Sequence, residues 1–375
     1  MVWRVPEVYC RLSPRFSSGC LGAWKKERAG ASMAPLAVKF PGISEDLCKM
    51  AEENLDEAPA RRRLHRAFKD IQLSLDHMLF KVPTNSMTIE ESYFTLSRGS
   101  EVFTKQWLPA TPPKAAVFFC HGYGDTCTFF VEGTARNLAL SGYGVYAIDY
   151  PGFGLSDGLH GYIPSFDSLV DDVAEAFTKL RENKALGSLP CFLFGQSMGG
   201  AIALKVHLKQ PNAWNGAILV APMCKIADSM VPPWPMKELL TGLAYLFPKL
   251  KLVPQNDLAV ASFRDPRKRS LTAYNVLAYK DKPRLYTALE MLRATEEIES
   301  RLNEVSLPLL ILHGERDVVT DPSVSKALYE EAVSSDKKLT LYKDCFHALL
   351  EGEPDDVILQ VLKDIVSWLD DHCQN

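Results

Sequence analysis

The feature that most constrains the fold is a repeated alternation between short apolar segments and longer segments of helical periodicity. Each apolar segment is too short for a helix and has no polar face, so we expect it to form a strand buried on both faces. Strands of that kind pack into a mostly parallel sheet covered by helices. The apolar segments are AAVFFCHG (115–122), YGVYAIDYPG (143–152), PCFLFG (190–195) and WNGAILVAP (214–222), and the helical segments between them begin near Thr128, Ser165 and Gly199.

Strand signals also occur on both sides of this alternation. SYFTLSRGSEVFTKQWLP (92–109) is typical of a hairpin, and LPLLILHGERD (307–317) and KKLTLYKDC (337–345) resume the strand pattern. Residues 223–304 show no clear strand and are instead rich in proline and apolar helical stretches. The sequence therefore predicts an α/β fold whose mostly parallel eight-stranded sheet is covered by helices, with a helical cap inserted after strand 6.

The chain divides into segments of different composition. Residues 1–43 carry many arginines and serines and few acidic residues, which is typical of an organelle transit peptide. A disordered tail, or a start codon upstream of a working start at Met33, are the alternatives. We expect an intracellular protein, either cytoplasmic or plastid. The predicted parts are a leader (1–43), an N-terminal helical extension (44–90), the first part of the core (91–222), the cap (223–304) and the second part of the core (305–375).

Charge and cysteine content exclude several classes of function. Forty-two basic and 46 acidic residues give a net charge of −4, so the chain lacks the basic field that attracts nucleic acid. Nine cysteines are scattered without the spacing of a zinc site or a disulfide framework. No apolar run is long enough to span a membrane, so membrane contact would be peripheral. The basic cluster Arg61, Arg62, Arg63 and Arg66 is interpreted as a solvated face, with contact to anionic lipid headgroups as the alternative.

Two segments match G-x-S-x-G, the pattern around the nucleophilic serine of many hydrolases. In GQSMG (195–199) a strand leads directly into Ser197 and a helix starts at once, which is the strand, sharp turn and helix that a nucleophile elbow requires. In GLSDG (154–158) the serine follows a Pro- and Gly-rich loop, and the next helix begins only near Ser165. We therefore predict that Ser197 is the nucleophile and that Ser156 has a structural role.

A serine nucleophile needs a histidine base and a carboxylate that orients it. In this architecture the acid and the base follow the serine in sequence, on loops after later strands. His347 is the one histidine in the right loop and in the right order, whereas His121 and His313 precede the acid and are interpreted as loop-shaping residues. Asp317 is the predicted acid, because the neighbouring Asp321 precedes a proline and is expected to cap a helix.

The predicted oxyanion hole consists of two backbone amides. The amide of Met198 follows the nucleophile at a helix start, and the amide of Tyr123 lies in the CHGYGD loop after the third strand. The cap segment MKELLTGLAYLFPKLKLVP is unusually apolar, and Leu239, Leu243, Leu246 and Phe247 are predicted to bind the acyl chain or rest on a lipid surface. The alternative is that these side chains pack on the main domain.

Several segments together resemble the plant monoacylglycerol lipase family of α/β-hydrolases, often labelled lysophospholipase-like. They are CHGYGDTCTFF, DYPGFGLSDGLHGYIPSFDSLVDDV, FGQSMGGAIALKVHLKQP, GERDVVTDPSVSKALYEEA and FHALLEGEPDD, and the resemblance covers about residues 60–372. The family's serine, acid, histidine and oxyanion amides fall on Ser197, Asp317, His347, Tyr123 and Met198. The resemblance implies the α/β-hydrolase fold and the chemistry of a serine hydrolase.

The same family includes caffeoylshikimate esterases, lysophospholipases and acyltransferases, so the resemblance indicates the chemistry better than the substrate. We expect a serine esterase without metal or cofactor that cleaves carboxylic esters through an acyl-enzyme, with monoacylglycerol as the substrate. A phenolic ester such as caffeoylshikimate is the alternative substrate. A ligand receptor without catalytic activity on the same fold is the alternative of a different class.

Overall fold

Eight strands form one sheet in the order β1-β2-β4-β3-β5-β6-β7-β8 in the computed structural model, which describes residues 43–182, 186–225, 234–253 and 257–373. The first hairpin and the β2–β4 pair are antiparallel, and the other neighbouring strands run parallel. The strands are β1 Met87–Thr95, β2 Glu101–Pro109, β3 Ala116–Cys120, β4 Gly144–Ile148, β5 Cys191–Gln196, β6 Gly216–Val220, β7 Leu309–Gly314 and β8 Lys337–Tyr342.

Helices cover both faces of this sheet. Those before and within the first part of the core are α1 Glu45–Ala51, α2 Ala58–Leu73, α3 Phe130–Leu140, α4 Phe166–Arg181 and α5 Met198–Lys209, with a 3-10 helix at Met78–Lys81. Between β6 and β7 lie α6 Trp234–Leu246, α7 Leu258–Ser262, α8 Pro266–Leu271 and α9 Leu285–Glu299, with 3-10 helices at Thr272–Tyr274 and Leu302–Glu304. The last two are α10 Pro322–Glu331 and α11 Asp355–His372.

The central strands are buried along their whole length, as their apolar sequences predict. In β3, Val117 and Phe119 belong to the core cluster on one face of the sheet, and Ala116 and Phe118 belong to the cluster on the other. Successive side chains of a strand point to opposite faces, so a strand between two helical layers must be apolar at every position. The expected fold class is therefore confirmed.

The structure refines one expectation about the N-terminal part of the chain and leaves another as a prediction. Strand β1 begins at Met87, inside the range 44–90 predicted to be helical, because this edge strand is mostly exposed and lacks the apolar signature of the central strands. The structure describes the chain from residue 43 onward, so residues 1–42 of the predicted leader lie outside it and the leader stays a prediction. No helix in the described ranges is long and apolar enough to cross a membrane.

The basic cluster on α2 is not a uniform solvated face. Arg61 is fully buried, and its guanidinium donates to five backbone carbonyls, those of Leu55, Asp56, Gly154, Ser156 and Gly158. The next residue, Arg62, is partly buried and forms ion pairs with Glu101 and Asp157, whereas Arg63 and Arg66 are exposed. The interpretation as a solvated face was therefore wrong for the first two arginines, which hold the loop after β4.

Ser156 has the structural role expected from its loop. Its side chain is fully buried, and its Oγ donates to the Asp149 carbonyl at 2.5 Å and accepts from the Phe103 amide at 2.8 Å. Both hydroxyl contacts are made to backbone groups of neighbouring strands. The G-x-S-x-G match at 154–158 thus marks a tight loop and not a nucleophile.

Candidate active site

Ser197 lies at the sharp turn between β5 and α5. Its backbone has φ 54° and ψ −121°, a conformation that costs a residue with a side chain of the order of 1–3 kcal/mol. The turn is held from both sides, because the Ser197 amide donates to the Val220 carbonyl and the Ser197 carbonyl accepts from the amides of Gly200 and Met223. This strained backbone projects the hydroxyl beyond the carboxyl end of the sheet, as the elbow motif predicts.

The glycines of the motif allow strand and helix to pass at close range. A Cβ built on Gly195 would lie 2.5 Å from the carbonyl oxygen of Gly199. A Cβ on Gly199 would lie 1.9 Å from the carbonyl oxygen of Cys120, at the end of β3. Such separations are far inside van der Waals contact, so no larger residue fits at either position without displacement of the backbone.

The three side chains predicted to act together are in contact. Ser197 Oγ lies 3.0 Å from His347 Nε2, and His347 Nδ1 lies 2.6 Å from Asp317 Oδ2. The histidine is 8% and the aspartate 5% exposed, so solvent screens their interaction weakly. This is the geometry in which an imidazole can take the serine proton while a carboxylate fixes its tautomer.

The Asp317 carboxylate is hydrogen-bonded through both oxygens. Oδ1 accepts from the amides of Val319 and Thr320, and Oδ2 accepts from the Thr320 hydroxyl as well as from His347. Burial alone would raise the pKa of Asp317, but its electrostatic interaction with His347 and hydrogen bonds from His313 and His347 together hold that pKa well below its usual range. Asp317 is therefore an anion at neutral pH.

Asp321 and His121 have the roles that the sequence predicted. Asp321 Oδ1 accepts from the Ser323 amide at 2.8 Å and caps α10, which leaves Asp317 as the acid that faces His347. His121 stacks on Tyr150 with 4.0 Å between ring centroids, and its Nδ1 lies 2.8 Å from the Gly122 carbonyl oxygen. Asp321 thus caps a helix, and His121 shapes the loop after β3.

The two predicted oxyanion residues lie on either side of Ser197. Met198 is the first residue of α5, so its amide has no carbonyl partner one turn earlier within the helix. The loop that contains Tyr123 passes beside the serine, since a Cβ on Gly122 would lie 3.5 Å from Ser197 Cβ. The phenol of Tyr123 donates to the Gly161 carbonyl. The role of both amides in binding an oxyanion stays a prediction.

The predicted acyl-binding residues of the cap are mostly at the surface. Leu239, Leu246 and Phe247 are 58%, 73% and 51% exposed. Leu243 is partly buried and packs in a small cluster with Leu285 and Leu289 of α9. Three exposed apolar side chains on one short segment suit contact with an apolar surface better than the lining of a closed tunnel.

The sequence did not predict that Gln196, the residue before the nucleophile, contacts the buried carboxyl group of Glu351. The Gln196 amide donates to Glu351 at 2.8 Å, and the Asn275 amide donates to Asp125 at 3.0 Å. Burial, and then the negative charge of Asp125, raise the pKa of Glu351 to about 8. The position of Glu351, four residues after the predicted base, was the only signal in the sequence.

Two further residues contact the acid, and sequence reasoning missed them. The His313 imidazole lies 3.0 Å from Asp317 Oδ2, and the Thr320 hydroxyl lies 2.9 Å from the same oxygen. His313 precedes Asp317 by four residues and Thr320 follows it by three. Their spacing from the predicted acid was the available signal in the sequence. His313 was interpreted as a loop-shaping residue, and its contact with the acid corrects that interpretation.

Among the residues that the structure describes, no cluster of His, Cys, Asp or Glu side chains could hold a metal ion. The contacts between Ser197, His347 and Asp317 suit proton transfer and nucleophilic attack by groups of the chain itself.

Comparisons with known proteins identify the family of this chain. The family model described as "Serine aminopeptidase, S33" matches residues 111–355. The chain is 34% identical to caffeoylshikimate esterase of Arabidopsis thaliana over 86% of this chain and 96% of that protein. It is 28% identical to monoglyceride lipase of Mus musculus over 77% and 93% of the two chains.

A solved structure supports the fold. The crystal structure of a soluble variant of monoglyceride lipase from Saccharomyces cerevisiae, in complex with a substrate analog, superposes with a TM-score of 0.70. It is 20% identical in sequence and covers 79% of this chain and 98% of its own. Together with the family match, this likeness confirms the fold and the family that the sequence motifs suggested.

Proposed function

The chain belongs to the serine aminopeptidase S33 family of hydrolases, and on this premise we propose that it is a serine esterase that cleaves monoacylglycerol to glycerol and free fatty acid. The observation that carries the proposal is the unbroken contact from Ser197 Oγ through His347 to Asp317. A hydroxyl at a strained turn, a base within hydrogen-bond distance and a buried carboxylate together meet the requirements of nucleophilic ester cleavage.

In the first half of the reaction, Ser197 Oγ attacks the ester carbonyl while His347 Nε2 accepts its proton. The negative charge that develops on the carbonyl oxygen is bound by the amides of Met198 and Tyr123. Asp317 stabilises the imidazolium. The C–O bond to the alcohol then breaks, the alcohol leaves with the proton from His347, and the acyl group stays on Ser197.

In the second half, water takes the place of the alcohol. His347 accepts a proton from the water, whose oxygen attacks the acyl carbon. The acid leaves and the proton returns to Ser197. An acyltransferase would follow the same steps with a second alcohol in place of water, so the first half of the reaction is common to both activities.

Two observations support a lipid ester as substrate. The cap exposes Leu239, Leu246 and Phe247 on one segment, next to the exposed Lys249, which is a composition suited to an apolar chain and an anionic surface. Several relatives are named monoglyceride lipases. We therefore propose peripheral contact of the cap with membranes during hydrolysis.

Caffeoylshikimate is the second candidate substrate. The relative named caffeoylshikimate esterase is 34% identical, against 28% for the mouse monoglyceride lipase, and the alignment with it covers more of this chain. A phenolic ester would use the same nucleophile, base and acid. It would differ in both halves of the ester: an aromatic caffeoyl group replaces the fatty acyl chain, and a ring with hydroxyl groups replaces glycerol.

The test is a comparison of kcat/KM for 2-monooleoylglycerol, a lysophospholipid and caffeoylshikimate, with the full chain and its Ser197→Ala variant. We expect the monoacylglycerol to be the best substrate and the variant to be inactive. A preference for caffeoylshikimate would instead identify phenolic esters as the substrate class. Equal rates for wild type and variant with every ester would refute the hydrolase proposal and favour a ligand receptor.

A further inference from the structure

His313 is a fully buried imidazole at the end of β7, four residues before Asp317. Its Nε2 lies 3.0 Å from Asp317 Oδ2, the same oxygen that His347 contacts at 2.6 Å. Its Nδ1 lies 2.6 Å from the Ser325 hydroxyl in α10. One carboxylate oxygen is thus shared by two histidines.

The partners of His313 determine where its proton is carried. Nε2 faces two acceptors, the carboxylate of Asp317 and the Thr320 carbonyl at 2.8 Å, so Nε2 must carry a hydrogen. Nδ1 faces the Ser325 hydroxyl, which can donate to it. The network therefore places a hydrogen on Nε2, and the Ser325 hydroxyl holds the ring from its other nitrogen.

We propose that His313 is a positioning residue for the acid, which donates from Nε2 to Asp317 Oδ2 and so orients the carboxylate and disperses its charge. The inference rests on the proposed esterase function. Without the hydrogen bond from His313, the Asp317 carboxylate would rotate more freely. Its full negative charge would then stabilise the His347 imidazolium more strongly. The base would then hold its proton to a higher pH.

A buried histidine that serves only packing would have other contacts. His207 on α5 is equally buried, but its Nε2 accepts from the backbone amide of Ser306, and no contact joins it to Ser197, His347 or Asp317 among the contacts of the described residues. His313 instead uses both ring nitrogens on polar groups around the acid. His207 is therefore a suitable control for the loss of a buried imidazole.

Two carboxylates among the described residues bear on this network. Asp317 faces both imidazoles, and Asp321 at the start of α10 is close enough for His313 and Asp317 to influence its pKa. Asp321 is retained in every variant below. A change in pH dependence can therefore be attributed to the altered residue.

The experiment compares His313→Leu, His313→Gln, Ser325→Ala and His207→Gln with wild type in the full chain. Leucine removes the donor, whereas the side-chain amide of glutamine can replace Nε2–H. The readouts are kcat and KM for p-nitrophenyl butyrate from pH 5 to 9. The rate of labelling by a fluorophosphonate over the same range reports the reactivity of Ser197 without reference to the physiological substrate.

We expect His313→Leu to lose about 10- to 100-fold in kcat with KM nearly unchanged, as for other residues that orient a functional group. The acid limb of its pH profile should move up by about half a pH unit, the size that one hydrogen bond implies. His313→Gln should recover most of both effects, Ser325→Ala should show a smaller shift in the same direction, and His207→Gln should keep the wild-type profile.

The inference is overturned if the acid limb stays in place in His313→Leu and Ser325→Ala, or if glutamine is as impaired as leucine. If His313→Leu does not fold, Ser325→Ala and His313→Gln decide the question on the same criteria. A wild type that neither cleaves esters nor reacts with the fluorophosphonate would instead refute the proposed function. An active wild type with unaltered variants would refute only the role of His313.

Discussion

Glu351 provides a test of the electrostatics beside the nucleophile. The side chain is 7% exposed, its hydrogen-bond donor is the neutral amide of Gln196, and burial followed by the charge of Asp125 raises its pKa from 4.5 to about 8. We therefore expect Glu351 to be protonated in the folded protein at neutral pH. The substitution Glu351→Gln replaces this neutral acid by a neutral amide of nearly the same shape.

The sign and size of the effect follow from proton linkage. Between pH 4.5 and pH 8 the unfolded chain loses the Glu351 proton while the folded chain keeps it, so the unfolded state is favoured more and more as the pH rises. Each pH unit in that window costs about 1.4 kcal/mol, which gives roughly 3 kcal/mol at pH 7 and roughly 5 kcal/mol at pH 8 and above. Below pH 4.5 the term vanishes.

The assay is urea denaturation of wild type and Glu351→Gln at pH 5, 7 and 8.5. The glutamine cannot ionise in either state, so the difference between the two free energies of unfolding should grow in favour of the variant as the pH rises. Any fixed cost of the amide cancels when the differences at two pH values are compared. Parallel stability curves from pH 5 to 8.5 would mean that Glu351 is ionised in the native protein, and the reasoning would fail.

Glu353 is the matched control, two residues further along the same loop. It is fully buried, but its carboxylate forms an ion pair with Arg264 at 2.6 Å and accepts from the Phe346 amide at 2.6 Å. Its charge is therefore compensated. Glu353→Gln should destabilise the protein because it removes the partner of Arg264. The expected loss is only about 1–3 kcal/mol, since Arg264 is one-third exposed and can turn to solvent. A stabilising effect at pH 8.5 would contradict this account.

Three further predictions concern the elbow, the loop after β4 and the acid. Gly199→Ala should lower kcat by about 100-fold, because its methyl group would lie 1.9 Å from the Cys120 carbonyl oxygen, and a variant with wild-type ester hydrolysis would contradict this. Arg61→Lys should lower the free energy of unfolding by about 3 kcal/mol in urea denaturation, since a lysine cannot serve five buried carbonyls, and an unchanged value would refute their importance. The depressed pKa of Asp317 gives stability that is complete above pH 4 and lost at lower pH, so Asp317→Asn should flatten the acid unfolding curve, which a slope equal to wild type would disprove.

The fold and the contacts between the predicted nucleophile, base and acid could be anticipated because their signals are local. Each buried strand is recognisable from its own residues, and the turn at Ser197 is recognisable from the glycines that flank it. Parallel strands bring their carboxyl ends to one edge of the sheet, so residues after β5, β7 and β8 were expected to meet there. Their separations in the structure agree with that expectation.

The features that could not be anticipated depend on contacts between distant segments. Arg61 belongs to a run of arginines that is locally indistinguishable from a solvated helix face, and its partners at Gly154 and Ser156 are more than 90 residues away. The raised pKa of Glu351 depends on its burial against Asp125, which no pattern in either loop encodes. His313 has a strand-end position that suits a loop residue equally well.

The contacts of two buried arginines also show that the N-terminal extension supports the site. Arg61 on α2 holds the backbone of the loop after β4, while Arg284 in the cap donates to Asp56, to the His160 carbonyl and to the Lys249 carbonyl. Asp56 lies just before α2, so one short segment joins the extension, the loop after β4 and the apolar part of the cap. Because Arg284 is 4% exposed, the loss of Asp56 would leave a buried cation with only carbonyl partners. Asp56 and Arg61 thus tie the N-terminal extension both to the cap and to the loop after β4.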